Sequence, residues 1–212
     1  MYIQVNDNNE IIHLIKVGEM PEKNGYEISD DTSDDILKHI FDYKYVDGKF
    51  VKKEDADSNR LMKLISAKIG SLSGICRSVI IGGIDFNNEH YSLEEHDQLN
   101  LNDLKETALQ GNSVLYHADG NLFRVYSSEE ILSLIKLSSD FKVFHNTYFN
   151  YLKSVINNMT TIEEVLSVNY GFPLTPDLQE SFNVLTKGMN FEIPEIEDTT
   201  DYSSLLVDVK DI

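Results

Sequence analysis

A chain of 212 residues with 41% hydrophobic and 25% charged residues has enough apolar material for a core of ordinary size, in one large or two small domains, and this excludes wholesale disorder. Its 36 Asp and Glu against 18 Lys and Arg give a formal charge of −18, a field that repels nucleic-acid phosphates and anionic lipid headgroups, so no nucleic acid and no membrane is expected as a partner. The single cysteine, Cys76, excludes an intrachain disulfide and any cysteine metal cluster.

Cys76 stands in the apolar run Ile75 to Ile81 and reads as a small buried hydrophobe. The N-terminal residues Met1 to Asp7 show neither a basic nor an apolar leader pattern, and no stretch approaches transmembrane length. The expectation is a chain made and kept in a reducing cytoplasm until something carries it out.

The first fifty residues read as a small β-rich unit. Tyr2, Ile3 and Val5 start a strand, Asp7 to Glu10 supply a turn, and Ile11 to Val17 return as a second strand. Ser33 with Asp34 and Asp35 opens a short helix carrying Ile36, Leu37, Ile40 and Phe41. Tyr43–Val46 and Lys49–Val51 flank Asp47-Gly48, a dipeptide that supplies the positive φ of a tight type I′ hairpin. The charged stretch from Lys52 to Ser58 is the expected boundary between domains.

Beyond it, Leu61, Leu64, Ile65, Lys68, Ile69 and Leu72 mark a helical face running toward Ser73-Gly74, and Gly82-Gly83 closes the next apolar segment. Ile84 to Phe86 and His90 to Ser92 form a short hairpin. Ser92 with Glu95, Ser127 with Glu130 and Thr161 with Glu164 carry the pattern of a capping box, which predicts three helix starts. The first of these helices runs from Leu93 to Leu109 and the second carries Ile131 to Leu137. A further long helix covers Phe141 to Met159. Strands on either side of Asp119-Gly120 make an inserted ribbon. Leu178, Phe182 and Leu185 suggest one more helix after Pro173.

From Glu192 to Ile212 seven acidic residues face the single Lys210, with only scattered apolar side chains. Such a segment cannot form a core alone, and it orders when Tyr202, Leu205, Leu206 and Val209 enter a groove. These four are the expected partner-binding residues. A neighbouring protein is the favoured groove, and the body of the same chain is the alternative. The fold class expected from the whole pattern is α+β: a β-rich unit at 1–52, a helical domain with a β-ribbon at 59–172 and a C-terminal extension with the acidic segment at 173–212.

No catalytic, cofactor-binding or metal-ligating residue is expected. Among His13, His39, His90, His96, His117 and His145 no pair has the spacing of a helical zinc site. His90 and His96, with Glu89, Glu94, Glu95 and Asp97, come nearest to a metal set, but acids at a helix start are explained by the helix dipole. Gly82-Gly83-Ile84-Asp85 lacks the lysine and hydroxyl of a phosphate loop, and Ser71-Leu72-Ser73-Gly74 is no nucleophile elbow, since no glycine stands two residues before the serine.

From Leu61 to Tyr170 the order of motifs resembles a domain that recurs in phage tail-gene clusters. These motifs are Gly83-Ile84-Asp85-Phe86, Tyr91-Ser92-Leu93, Asp97 to Leu101, Tyr116 to Gly120, the Ser127 to Glu130 start, and His145 with Tyr148 before Leu152-Lys153. The first fifty residues resemble the short XkdW-like proteins encoded near tail-fibre genes, through Val5 to Ile12 and Tyr45 to Val51. The segment after Pro173 has no counterpart in either. The resemblance implies a structural adaptor in a phage tail or phage-tail-like particle, made in the bacterial cytoplasm, present in multiple copies, and bound to tail-fibre or baseplate proteins. A fibre-assembly chaperone absent from the finished particle is the alternative, and an acidic DNA mimic is a second one that rests on charge alone.

Overall fold

A computed structural model of the chain describes residues 1–207. The architecture is α+β, with strands concentrated toward the N-terminus and helices dominating the rest. Two compact units are present. One comprises Met1–Lys68, Thr160–Val165 and the described residues from Thr199, and the other comprises Ile69–Met159 and Leu166–Asp198.

In the first unit, β1 (Tyr2–Val5) pairs antiparallel with β2 (Ile11–Ile15), and the inward-facing Ile3 and Val5 are buried. The turn between them is tied by Asn6, whose side-chain oxygen accepts from the backbone N–H groups of Asn8 and Glu10. A third strand, β3 (Gly25–Glu27), takes the other edge of β1, giving the order β2-β1-β3. Nothing in its apolar pattern announces it. Its glycine is obligatory, because a Cβ there would stand 2.3 Å from the Pro21 carbonyl oxygen.

Helix α1 (Asp34–Lys38) starts where the Ser33 hydroxyl accepts from the Ile36 N–H. Strands β4 (Tyr43–Val46) and β5 (Lys49–Lys52) then form the second hairpin in the expected register, with Asp47 at φ 50° and Gly48 at φ 78°. Ile3, Val5, Ile11, Ile28, Leu37 and Ile40 make one core. Burying side chains of this kind contributes about 1.5–3 kcal/mol each before chain entropy is counted.

Of the expected link, Lys52 ends β5 and Ala56 begins α2 (Ala56–Ile81). This helix does not stop at Ser73-Gly74. Ala56, Arg60, Leu64, Lys68, Leu72, Cys76 and Ile80 are buried at every fourth position. That packing outweighs the roughly 1 kcal/mol that a mid-helix glycine costs. By length and composition α2 is apolar enough to cross a membrane, which corrects the reading that no stretch has that character. Two of its inward positions are nevertheless cationic: Arg60 donates to Asp42 at 2.6 Å and to the Leu205 carbonyl at 3.1 Å, and Lys68 is 1% exposed.

In the second unit, β6 (Ile84–Phe86) and β7 (Glu89–Tyr91) form a tight hairpin through Asn87 and Asn88, both at positive φ. Gly83 precedes it at φ 89°, with the Tyr91 carbonyl so close that a Cβ would lie 2.1 Å away. Helix α3 (Glu95–Leu109) is capped at Glu94, not at Ser92 as its box pattern suggests. The Ser92 hydroxyl is engaged instead by Asp97 and Asp119.

After β8 (Val114–Tyr116) and β9 (Arg124–Tyr126), Ser127 caps α4 (Ser128–Asn157) by accepting from the Glu130 N–H. The sequence reading placed two helices here, and the structure has one. Ser138, in the gap between the two expected helices, turns its hydroxyl back to the Leu134 carbonyl at 2.8 Å.

Helix α5 (Ile162–Leu166) begins with the reciprocal box intact, Glu164 N–H on the Thr161 hydroxyl and Thr161 N–H on the Glu164 carboxylate. Helix α6 (Pro176–Leu185) follows in the second unit, where Tyr170 pairs with Ile196. Helix α7 (Ser203–Leu206) lies in the first.

Candidate protein-docking surface

The β8–β9 ribbon separates its residues cleanly into two faces. Val114, Tyr116 and Tyr126 point inward and are buried among Tyr91, Leu93, Ile131 and Leu134. Leu115 and Val125, which are directly opposed in the register, point outward and are 62% and 64% exposed. In the loop, Leu122 and Phe123 are 91% and 67% exposed, and the Phe123 ring meets that of His117 at 4.5 Å between centroids. Isolated exposed leucines are ordinary, but four large apolar groups exposed on one ribbon and its loop are a concentration of the kind that marks an interface.

The platform beneath is held from several sides. The Tyr91 and Tyr126 hydroxyls are 2.9 Å apart, and burial pushes the Tyr91 phenol well above its ordinary range, with the hydrogen bond to Tyr126 adding to the effect. The Arg124 guanidinium reaches Glu130 at 2.7 Å and Glu89 at 2.9 Å and lies 3.6 Å over the Tyr126 ring. Its presence draws both carboxyls below the usual carboxylate range. Asp119, the expected turn residue, accepts from the Ser92 N–H and hydroxyl, and its own N–H donates to the His90 carbonyl. The ribbon is therefore fixed before anything binds.

Of the four residues expected to grip a partner, Tyr202 is buried at 6% exposure, with the Lys68 ammonium 5.3 Å from its ring centre. Leu205 and Leu206 are half-buried, and the Leu205 carbonyl accepts from Arg60. Val209 lies outside the described residues. Tyr202 and Leu205 thus meet their own chain, the fold-back alternative. The ribbon face escaped the sequence reading because Val114 to Tyr116 and Val125-Tyr126 are apolar on both alternations, so the pattern alone shows no outward side.

Cys76 and His145 come close inside the second unit without forming a nucleophile pair. The Cys76 thiol donates to the backbone carbonyl of His145 at 3.6 Å and is raised by burial, which disfavours the reactive thiolate. The His145 imidazole instead meets the Tyr170 hydroxyl. Among the described residues no group of three or more His, Cys, Asp or Glu is placed to hold a metal ion. His90 is fixed by Asp85 at 2.7 Å and by the Gly82 carbonyl at 2.8 Å, and the His96 imidazole lies 3.2 Å from the carboxylate of its neighbour Asp97.

No family model, curated protein or solved structure matches the chain.

Proposed function

We propose that the chain is a non-enzymatic adaptor of a phage tail or phage-tail-like particle, and that it seats a tail-fibre or baseplate protein on the outer face of the β8–β9 ribbon. The observation that carries the binding role is the opposed, exposed pair Leu115 and Val125, flanked by Leu122 and Phe123 on a platform locked by Arg124. Apolar anchors on a preorganised surface are what a protein interface needs. Support for the particle setting comes from the order of motifs between Leu61 and Tyr170 and from the XkdW-like pattern of the first fifty residues.

The test is the composition of purified particles. An adaptor is present at fixed stoichiometry beside the fibre or baseplate. A chain required during assembly but missing from finished particles is the chaperone instead, and a chain neither required nor present in them overturns both.

A further inference from the structure

A cleft of about 440 Å³ runs between the C-terminal half of α2 and the middle of α4. Its floor is closed: Cys76, Ile80 and Phe149 are all buried. Its rim is polar. Lys142, Asn146, Asn150 and Lys153 follow one stripe of α4, Arg77 faces them from α2, and Gln98 lines the cleft from α3 together with Glu95, its one carboxylate. A smaller pocket between α3 and α4 shares Gln98 and Lys142 with the cleft and adds Lys105 to its lining.

The cations here differ from others in the same unit. Arg124 is held by Glu89 and Glu130 and Lys136 by Asp140. Lys105, Lys142 and Lys153 have no carboxylate partner among the described residues. Lys142 donates only to the Gln98 side-chain oxygen at 3.1 Å, and the Lys153 ammonium rests 5.1 Å from the Phe149 ring centre. Arg77 has Glu95 at 2.6 Å, but both side chains are largely exposed, so that pair exchanges partners at little cost.

We infer that this cleft binds an extended acidic segment of a partner protein. In a chain of formal charge −18, a cleft in which Arg77, Lys142 and Lys153 outnumber the single carboxylate of Glu95, with amide donors between the cations, is complementary to spaced carboxylates. Spacing decides against a compact anion. Lys142 and Lys153 are separated along the helix by about 16 Å at 1.5 Å per residue, too far to converge on one phosphate. An extended chain covers that span in about five residues at 3.3 Å each. A long nucleic acid would meet the repulsive field of the whole molecule, whereas a short segment engages only the cleft. The cleft is a second contact, independent of the ribbon.

The test uses the full chain, a fluorescein-labelled peptide of Glu-Ser-Gly repeats and its Gln-for-Glu counterpart, read by fluorescence anisotropy. Saturable binding of the Glu peptide is expected, weakening as salt rises and absent for the Gln peptide. Lys142→Glu with Lys153→Glu should weaken it about tenfold or more with unchanged melting, since each tenfold is 1.4 kcal/mol. Lys142→Gln with Lys153→Gln should weaken it less. Lys187→Glu, an exposed position outside the lining, should leave it unchanged. Absence of binding, equal loss in Lys187→Glu, indifference to the cleft variants, or tighter binding of a single-stranded oligonucleotide overturns the inference.

Discussion

The His145 imidazole Nδ1 and the Tyr170 hydroxyl lie 3.1 Å apart, in a place where His145 is 1% and Tyr170 0% exposed. Phe141 and Phe144 pack edge-on against the imidazole, and no carboxylate among the described residues is paired with it. Burial therefore favours the neutral ring and lowers its pKa from 6.5 to about 4. The unfolded chain binds this proton first, so stability is full above pH 6.5, falls as the pH drops from 6.5 toward 4, and levels off below. The loss attributable to this group is on the order of 3 kcal/mol. His145→Gln keeps a neutral hydrogen-bonding group and should flatten that part of the curve in denaturant titrations at successive pH values. His90, raised by its hydrogen bond to Asp85, works in the opposite direction, stabilising at low pH and losing that effect as the pH rises through its folded value. The comparison is therefore between variant and parent at each pH.

Leu152 is fully buried on α4, in line with Tyr148 and Ile156. Leu152→Ala should cost about 2–5 kcal/mol, read as a lowered denaturation midpoint. Tyr148 and Leu152 share one helix with Ile131 and Leu134, so the cost arises from partners on other elements.

Leu115→Thr with Val125→Thr should change stability by no more than about 0.5 kcal/mol, because both side chains already face water and threonine is a good strand former at opposed positions. Incorporation into particles should nevertheless be lost. Normal incorporation with normal stability would remove the ribbon from the proposed interface.

Two glycines make a paired prediction. Gly83→Ala forces a Cβ to 2.1 Å from the Tyr91 carbonyl at φ 89°, and it should destabilise by more than about 1 kcal/mol. Gly74, inside α2 with open space around its Cα, should gain up to about 1 kcal/mol on replacement by alanine. Thermal melts of the two variants should move in opposite directions.

Tyr202→Ala removes a buried ring and should cost on the order of 3 kcal/mol in the isolated chain. Amide protons near Tyr202 should be protected from exchange in the monomer. An unchanged melting temperature and fast exchange would return the acidic segment to the neighbour-docking reading.

Local signals were legible where one residue type has one structural use. Asp47-Gly48 supplied a turn that only positive φ allows, and Ser127 and Thr161 offered hydroxyls to free N–H groups at helix starts. Signals failed where tertiary packing overrides propensity: the helical face was expected to run toward Ser73-Gly74 and the helix of Ile131 to Leu137 to be separate from that of Phe141 to Met159, yet buried rows carry α2 and α4 through both places. Ser92 failed differently, since two carboxylates compete for the hydroxyl that should cap α3. The cleft was invisible, because Arg77, Lys105, Lys142 and Lys153 come from three helices and acquire a common environment only in the folded chain.

The clamp of Arg124 on Glu89 and Glu130 also bears on how fast a partner could come and go. A surface already held by two charge-assisted contacts and a stacked ring has little backbone or rotamer freedom left to surrender, so encounter need not wait for a loop to order. Association at the ribbon should then proceed at the ordinary rate for rigid docking, with substitutions at Leu115, Phe123 and Val125 expressed in residence time. Loosening Arg124 would instead slow capture while the apolar groups that hold the partner remain in place.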